Sequence, residues 1–120
     1  MTSKIIYVVD DDTSILEILS IILKDNGYQV VVSPDGSSLH DLEVIPDLII
    51  LDIRLAGKDG AQLCRQFKQS ERLSSVPVIL VSANIDGQEI AEACGADEFL
   101  AKPFELKEIL GLTQKYMAAV

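Results

Sequence analysis

Pro46-Asp47-Leu48-Ile49-Ile50-Leu51-Asp52 holds four consecutive aliphatic side chains between two aspartates. A strand with one wet face alternates apolar and polar residues, whereas an unbroken apolar run suits a strand covered on both faces, as in a parallel sheet. Asp52 closes the run at the end of what reads as the central strand, where burying a carboxylate is costly unless a cation or hydrogen bonds compensate. Three further runs stop in the same way. Ile5 to Val9 ends at Asp10-Asp11, Val76 to Val81 at Ser82, and Phe99 to Ala101 at Lys102. If the runs are parallel neighbours, their carboxyl ends share one sheet edge, the place where ligands bind in open α/β folds. Three carboxylates, a hydroxyl and an ammonium then meet in one pocket.

Apolar β-branched runs alternate with helix-like segments along the chain, which favours βαβ units. Strands are expected near 5–10, 28–32, 48–52, 77–82 and 98–101, and helices near 13–25, 36–43, 60–71, 86–94 and 105–117. The result is a three-layer α/β domain spanning residues 1–120. Asn26-Gly27 and Gly95 follow helices, and Pro34, Pro46, Pro77 and Pro103 fall between elements. Asp12, Thr13 and Ser14 are candidate caps for the first helix, with Glu17 completing a capping box if Ser14 is the cap. A nucleotide-binding fold would place a glycine-rich cradle at this turn, but the chain has Asp10-Asp11-Asp12-Thr13-Ser14 there.

The 120 residues carry a net charge of −9, which repels nucleic acid and anionic membranes and argues against direct DNA binding. An acidic domain with an acidic pocket calls for a cation. Magnesium typically binds through one or two carboxylates and recruits phosphate oxygens, a description that Asp10, Asp11 and Asp52 fit. Lys102, leaving the same edge before Pro103, can pair with a carboxylate or with phosphate oxygens, and Ser82 can donate its hydroxyl to one. Cys64 and Cys94 form no C-x-x-C pair and read as buried free thiols. The start Met1-Thr2-Ser3-Lys4-Ile5-Ile6 has no signal-peptide character, and no apolar run approaches a membrane span. A cytoplasmic protein is expected. His40, away from every strand end, reads as solvated.

Val8-Val9-Asp10-Asp11-Asp12, Asp35-Gly36, Pro46 to Asp52, Asp59-Gly60, Pro77-Val78-Ile79-Leu80-Val81-Ser82-Ala83, Gly95-Ala96-Asp97 and Lys102-Pro103-Phe104, in this order and at these distances, closely resemble the receiver domain of two-component response regulators. The small chemotaxis regulator is the familiar example. The resemblance implies a flavodoxin-like (βα)5 fold with five parallel strands in the order 2-1-3-4-5 and helices on both faces. It implies a signalling phosphoacceptor rather than an enzyme, with Asp52 taking a phosphoryl group from a phosphohistidine on a sensor histidine kinase or histidine phosphotransfer protein. Asp11, Asp52 and the backbone carbonyl of Arg54 would ligate Mg2+, with Asp10 acting through a water. Lys102 and Ser82 would hold the phosphoryl oxygens. Ser82 and Phe99 would form the switch, and Lys102-Pro103 would be cis.

Three departures stand out: Ala56 where the family usually has proline, suggesting a more flexible loop; Ser82 where threonine is commoner; and Arg54 and Asn84 at positions that tune acyl phosphate lifetime. The first helix, with Ile15, Leu16, Ile18, Leu19, Ile21, Ile22 and Leu23, is apolar over more than one stripe. Leu16 and Ile21 are expected at its margins as a donor-docking patch. Ile90, Phe99, Lys107 and Tyr116 are expected on a second surface that meets an effector, an appended output domain or a second, phosphorylated copy. Two rivals are a haloacid-dehalogenase-like phosphatase using Asp10, which leaves Asp52 without a role, and a receiver-like interaction module that takes no phosphate.

Overall fold

The computed structural model describes residues 4–39, 43–55 and 57–117. In chain order the elements are β1 (Ile5–Val9), α1 (Thr13–Asp25), β2 (Gln29–Ser33), β3 (Leu48–Asp52), β4 (Arg54–Leu55), β5 (Lys58–Asp59), α2 (Gly60–Gln69), β6 (Val78–Ser82), α3 (Gly87–Cys94), β7 (Glu98–Ala101) and α4 (Leu106–Met117). The main sheet is β2-β1-β3-β6-β7, every pair parallel. With the small β4-β5 hairpin set aside, this is the expected order 2-1-3-4-5.

Period-two alternation sends each strand's neighbours to opposite layers. Ile6, Val8, Leu48, Ile50, Ile79 and Val81 pack against Leu16, Leu19 and Leu23 of α1 and Ile109 and Met117 of α4. Tyr7, Val9, Ile49, Leu51, Val78 and Leu80 pack against Ala61, Cys64 and Phe67 of α2 and Ala91 and Cys94 of α3. β3 and β6 are buried along their whole length, which explains their unbroken apolar sequence. Both thiols are free and buried, and burial pushes Cys64 up to about 12.

Asp12 is the cap of α1, accepting hydrogen bonds from Ser14 N and Ile15 N. Asp59 caps α2 through Ala61 N. The helix expected over 36–43 does not form in its described part. Residues 36–39 make a turn closed by the Leu39 N–H to Gly36 C=O bond: Gly36 has a left-handed φ of 75°, which a right-handed helix does not accommodate, and Ser37-Ser38 are weak helix formers. Residues 40–42, including His40, lie outside the described residues, as does Ala56. Around Ala56 the chain pairs Arg54 with Asp59 and Leu55 with Lys58, a hairpin that the sequence did not announce. Among the described residues no helix is long and apolar enough to cross a membrane.

Candidate functional site

Strand register assembles the site. Val9 pairs with Leu51, so the residues that follow them, Asp10 and Asp52, leave the sheet side by side. Ser82 pairs with Ala101, and Lys102 N donates to Ser82 O at 2.9 Å, which sets Lys102 at the same edge. The Lys102-Pro103 bond is cis, as the resemblance implied.

Residues far apart in sequence therefore touch. Lys102 Nζ lies 2.8 Å from Asp52 Oδ2 and 3.0 Å from Asp10 Oδ2. The second oxygen of each carboxylate is held by backbone: Asp12 N donates to Asp10 Oδ1 at 2.9 Å and Arg54 N to Asp52 Oδ1 at 3.2 Å. Carboxylate oxygens of Asp10, Asp11 and Asp52 all lie within 4.8 Å of one another. Asp10 and Asp52 are buried and Asp11 is exposed, so the cluster is reached from one side. An all-oxygen, strongly anionic donor set with one open face suits a hard divalent cation such as Mg2+. Ser82 is buried at the neighbouring strand end, its Oγ accepting from Asn84 N at 2.9 Å. Phe99 pairs with Leu80, two residues before Ser82, and is partly buried against the α2–α3 layer.

Burial holds the Asp10 carboxyl above its ordinary value of 3.8, and the Asp52 charge adds to the rise, against hydrogen bonds from Asp12 and Lys102. Burial works against the Lys102 ammonium too, but its bonds to Asp52 and Asp10 outweigh it and hold lysine above its usual value. One ammonium thus serves two buried carboxylates, and Lys102→Met leaves them facing each other without a cation. The variant should lose about 1–3 kcal/mol at neutral pH. Because the folded-state value of Asp10 is raised, the stability its protonation supplies is complete below 3.8 and lost as pH rises through the higher folded value. Urea unfolding across that range should show the deficit of Lys102→Met growing with pH. A deficit that does not change with pH would contradict this account.

Of the two residues expected at the margins of α1, Leu16 is 7% exposed and belongs to the core, while Ile21 is 62% exposed but lines a hollow with Leu16, Glu17, Ser20 and Val32, where Lys102 is not among the lining residues. The apolar surface next to the site comes from Ile15 and Ile18 instead. With Pro103, Phe104 and Leu106 they flank Lys102 in a groove of about 440 Å³. Sequence reasoning missed Ile18 because α1 is apolar on several sides and its packing on the sheet chooses which side is covered. On the second surface, Lys107 is exposed, and the Tyr116 hydroxyl shares its one proton between Asp97 O at 3.1 Å and Glu98 Oε2 at 3.0 Å.

The model of the response regulator receiver domain matches residues 6–114. The DNA-binding response regulator MtrA of Mycolicibacterium smegmatis is 37% identical over 109 residues, covering 88% of this chain and 46% of that protein, so the chain spans about half the length of this curated relative. The receiver domain of the sensor histidine kinase PA1611 from Pseudomonas aeruginosa PAO1, whose structure has a magnesium ion coordinated in the active site cleft, superimposes with a TM-score of 0.87 at 26% identity, covering 98% of this chain and 100% of that one. Vibrio cholerae chemotaxis protein CheY4 shares the fold, with a TM-score of 0.85 at 23% identity over 96% of this chain and 99% of its own.

Proposed function

The chain belongs to the response regulator receiver domain family, and from that premise we propose that it takes a phosphoryl group onto Asp52 from the phosphohistidine of a sensor histidine kinase or histidine phosphotransfer protein. A carboxylate oxygen of Asp52 attacks phosphorus, the N–P bond breaks, and its electron pair returns to the donor imidazole. An acyl phosphate forms on Asp52 and the histidine is released. The observation that carries this reading is the convergence of Asp52 with Asp10, Asp11 and Lys102 at one sheet edge.

Asp11, Asp52 and the Arg54 carbonyl would hold Mg2+, with Asp10 acting through a water; the ion, when bound, supplies positive charge to the transferring phosphoryl oxygens. Lys102 fits a second role, letting go of Asp10 or Asp52 to neutralise a phosphoryl oxygen. Ser82 would donate its hydroxyl to another, and placement with charge neutralisation accounts for most of the catalysis in such transfers. The same pocket would hydrolyse the acyl phosphate slowly, with Arg54 and Asn84 setting its lifetime. A helical donor would lie along the apolar groove, resting on Ile18 and Phe104. Output would pass through the surface formed by α3, β7 and α4 to an effector, an attached output domain or a second copy. Residues 1–120 would act as one receiver unit in the cytoplasm, alongside the kinase.

The test is incubation with acetyl phosphate and Mg2+, read by intact mass. One phosphoryl group, labile to base and absent when EDTA is included, is expected. Continuous turnover with no retained phosphoprotein would favour the phosphatase reading, and no labelling from either small or protein donors would favour a binding module.

A further inference from the structure

Gly87 opens α3 and is buried, yet its backbone does not require glycine: the left-handed glycines are Gly27, Gly36, Gly57 and Gly95. The demand comes from Phe99. A Cβ on residue 87 would lie 2.5 Å from Phe99 Cε1 and closer still to Cζ, so the ring occupies the space that a side chain would fill. This end of α3 is also anchored unlike those of α1 and α2. Asp12 and Asp59 cap α1 and α2 with their carboxylates, whereas Asp86, at the cap position of α3, makes no side-chain cap bond. What holds it is the backbone bond from Gly87 N to Asn84 O at 3.1 Å and the ring beneath. Asn84 in turn donates its own N–H to Ser82 Oγ at 2.9 Å. The contacts run without a gap from the Ser82 hydroxyl through Asn84 and Gly87 to the Phe99 ring.

We propose that Gly87 is the positioning residue that seats Phe99 against α3, so that the Ser82–Asn84 loop, the start of α3 and the ring shift as one unit. What that unit reports rests on the phosphoacceptor reading: once the Ser82 hydroxyl turns to donate to a phosphoryl oxygen, the Oγ that accepts from Asn84 N–H moves, and the displacement reaches the ring through residue 87. The existence of the seat does not depend on that reading.

Thermal unfolding of Gly87→Ala, Phe99→Ala and the double variant forms a cycle. Alanine at 87 should lower Tm by roughly 4–8 °C or more when the ring is present. With the ring removed the sign should reverse, because alanine is the better helix residue, giving a rise of roughly 2–4 °C. Gly111→Ala, at an exposed position in α4 where a Cβ meets nothing within 4 Å, should raise Tm in both backgrounds and controls for helix propensity. If Gly87→Ala alone fails to fold, folding of the double variant supports the seat equally. Equal destabilisation by Gly87→Ala with and without Phe99 overturns it.

Fluorine NMR with 4-fluorophenylalanine, the Phe99 resonance assigned from Phe99→Leu, supplies the second readout. Gly87→Ala should displace that resonance in the resting protein, and Mg2+ with beryllium fluoride should shift it in the wild type. An unmoved Phe99 resonance in Gly87→Ala overturns the seat. A normal cycle in a protein that beryllium fluoride leaves unaffected would uphold the seat and count against the phosphoacceptor reading.

Discussion

Asp52→Asn should fold normally and accept no phosphoryl group from acetyl phosphate and Mg2+, a loss on the order of 10³-fold or more, as expected when the nucleophile itself is removed. The fold should tolerate the change. An amide oxygen can still accept from Arg54 N, which lies 3.2 Å from Asp52 Oδ1, and Lys102 keeps its 3.0 Å bond to Asp10. The new NH2 group faces the Lys102 ammonium, but the change also removes one of two close negative charges, so the net effect on Tm should be small. Intact mass and melting on the same sample separate loss of chemistry from loss of structure. Retained labelling on Asp52→Asn would move the acceptor elsewhere, with Asp10 the next candidate. Retained turnover without labelling would revive the phosphatase alternative.

The features legible in the sequence share one property: a local pattern with a single physical explanation. Leu48 to Leu51 is apolar at every position because both faces of β3 are covered, and the same holds for Val78 to Val81. The site was legible because its members all end such runs; parallel register then brings Lys102 to Asp52, 50 residues away. Where several outcomes fit one pattern, the sequence was silent. α1 is apolar around much of its circumference, so whether Leu16 or Ile18 stays exposed depends on which face the sheet covers. Residues 36–39 carry apolar and polar side chains compatible with a helix, but Gly36 takes a left-handed φ of 75° that a helix cannot continue through. The β4–β5 hairpin has two-residue strands, too short to show any period. A glycine needed for a tight approach looks like one needed for a turn until its neighbours are known.

Gly60 is the second such glycine, and its replacement should have the larger effect on the fold. It begins α2, where alanine would ordinarily be favoured, and its φ lies outside the left-handed region. A Cβ here would lie 2.8 Å from the carbonyl carbon of Asp52 and from Ile53 Cα, and would overlap the Asp52 carbonyl oxygen. These are backbone atoms of the strand end that carries the proposed phosphoacceptor, and Gly60 N donates to Ile53 O at 2.7 Å, so helix and strand cannot separate without breaking that bond. No flexible side chain is available to yield. Gly60→Ala should therefore cost about 3 kcal/mol, at the upper end of overpacking penalties, or roughly 10–20 °C in Tm. Whatever relaxation occurs moves the Asp52 main chain, and displacement of a reacting group by about 1 Å can cost 10²-fold in rate. Chemical denaturation and acetyl phosphate labelling, measured on the folded fraction, should show both losses together. A Gly60→Ala protein that melts with the wild type and labels at the same rate would mean that the strand end bearing Asp52 is not held by its approach to α2. Loss of stability with an unchanged labelling rate would mean that the strain relaxes into α2 and leaves the site intact.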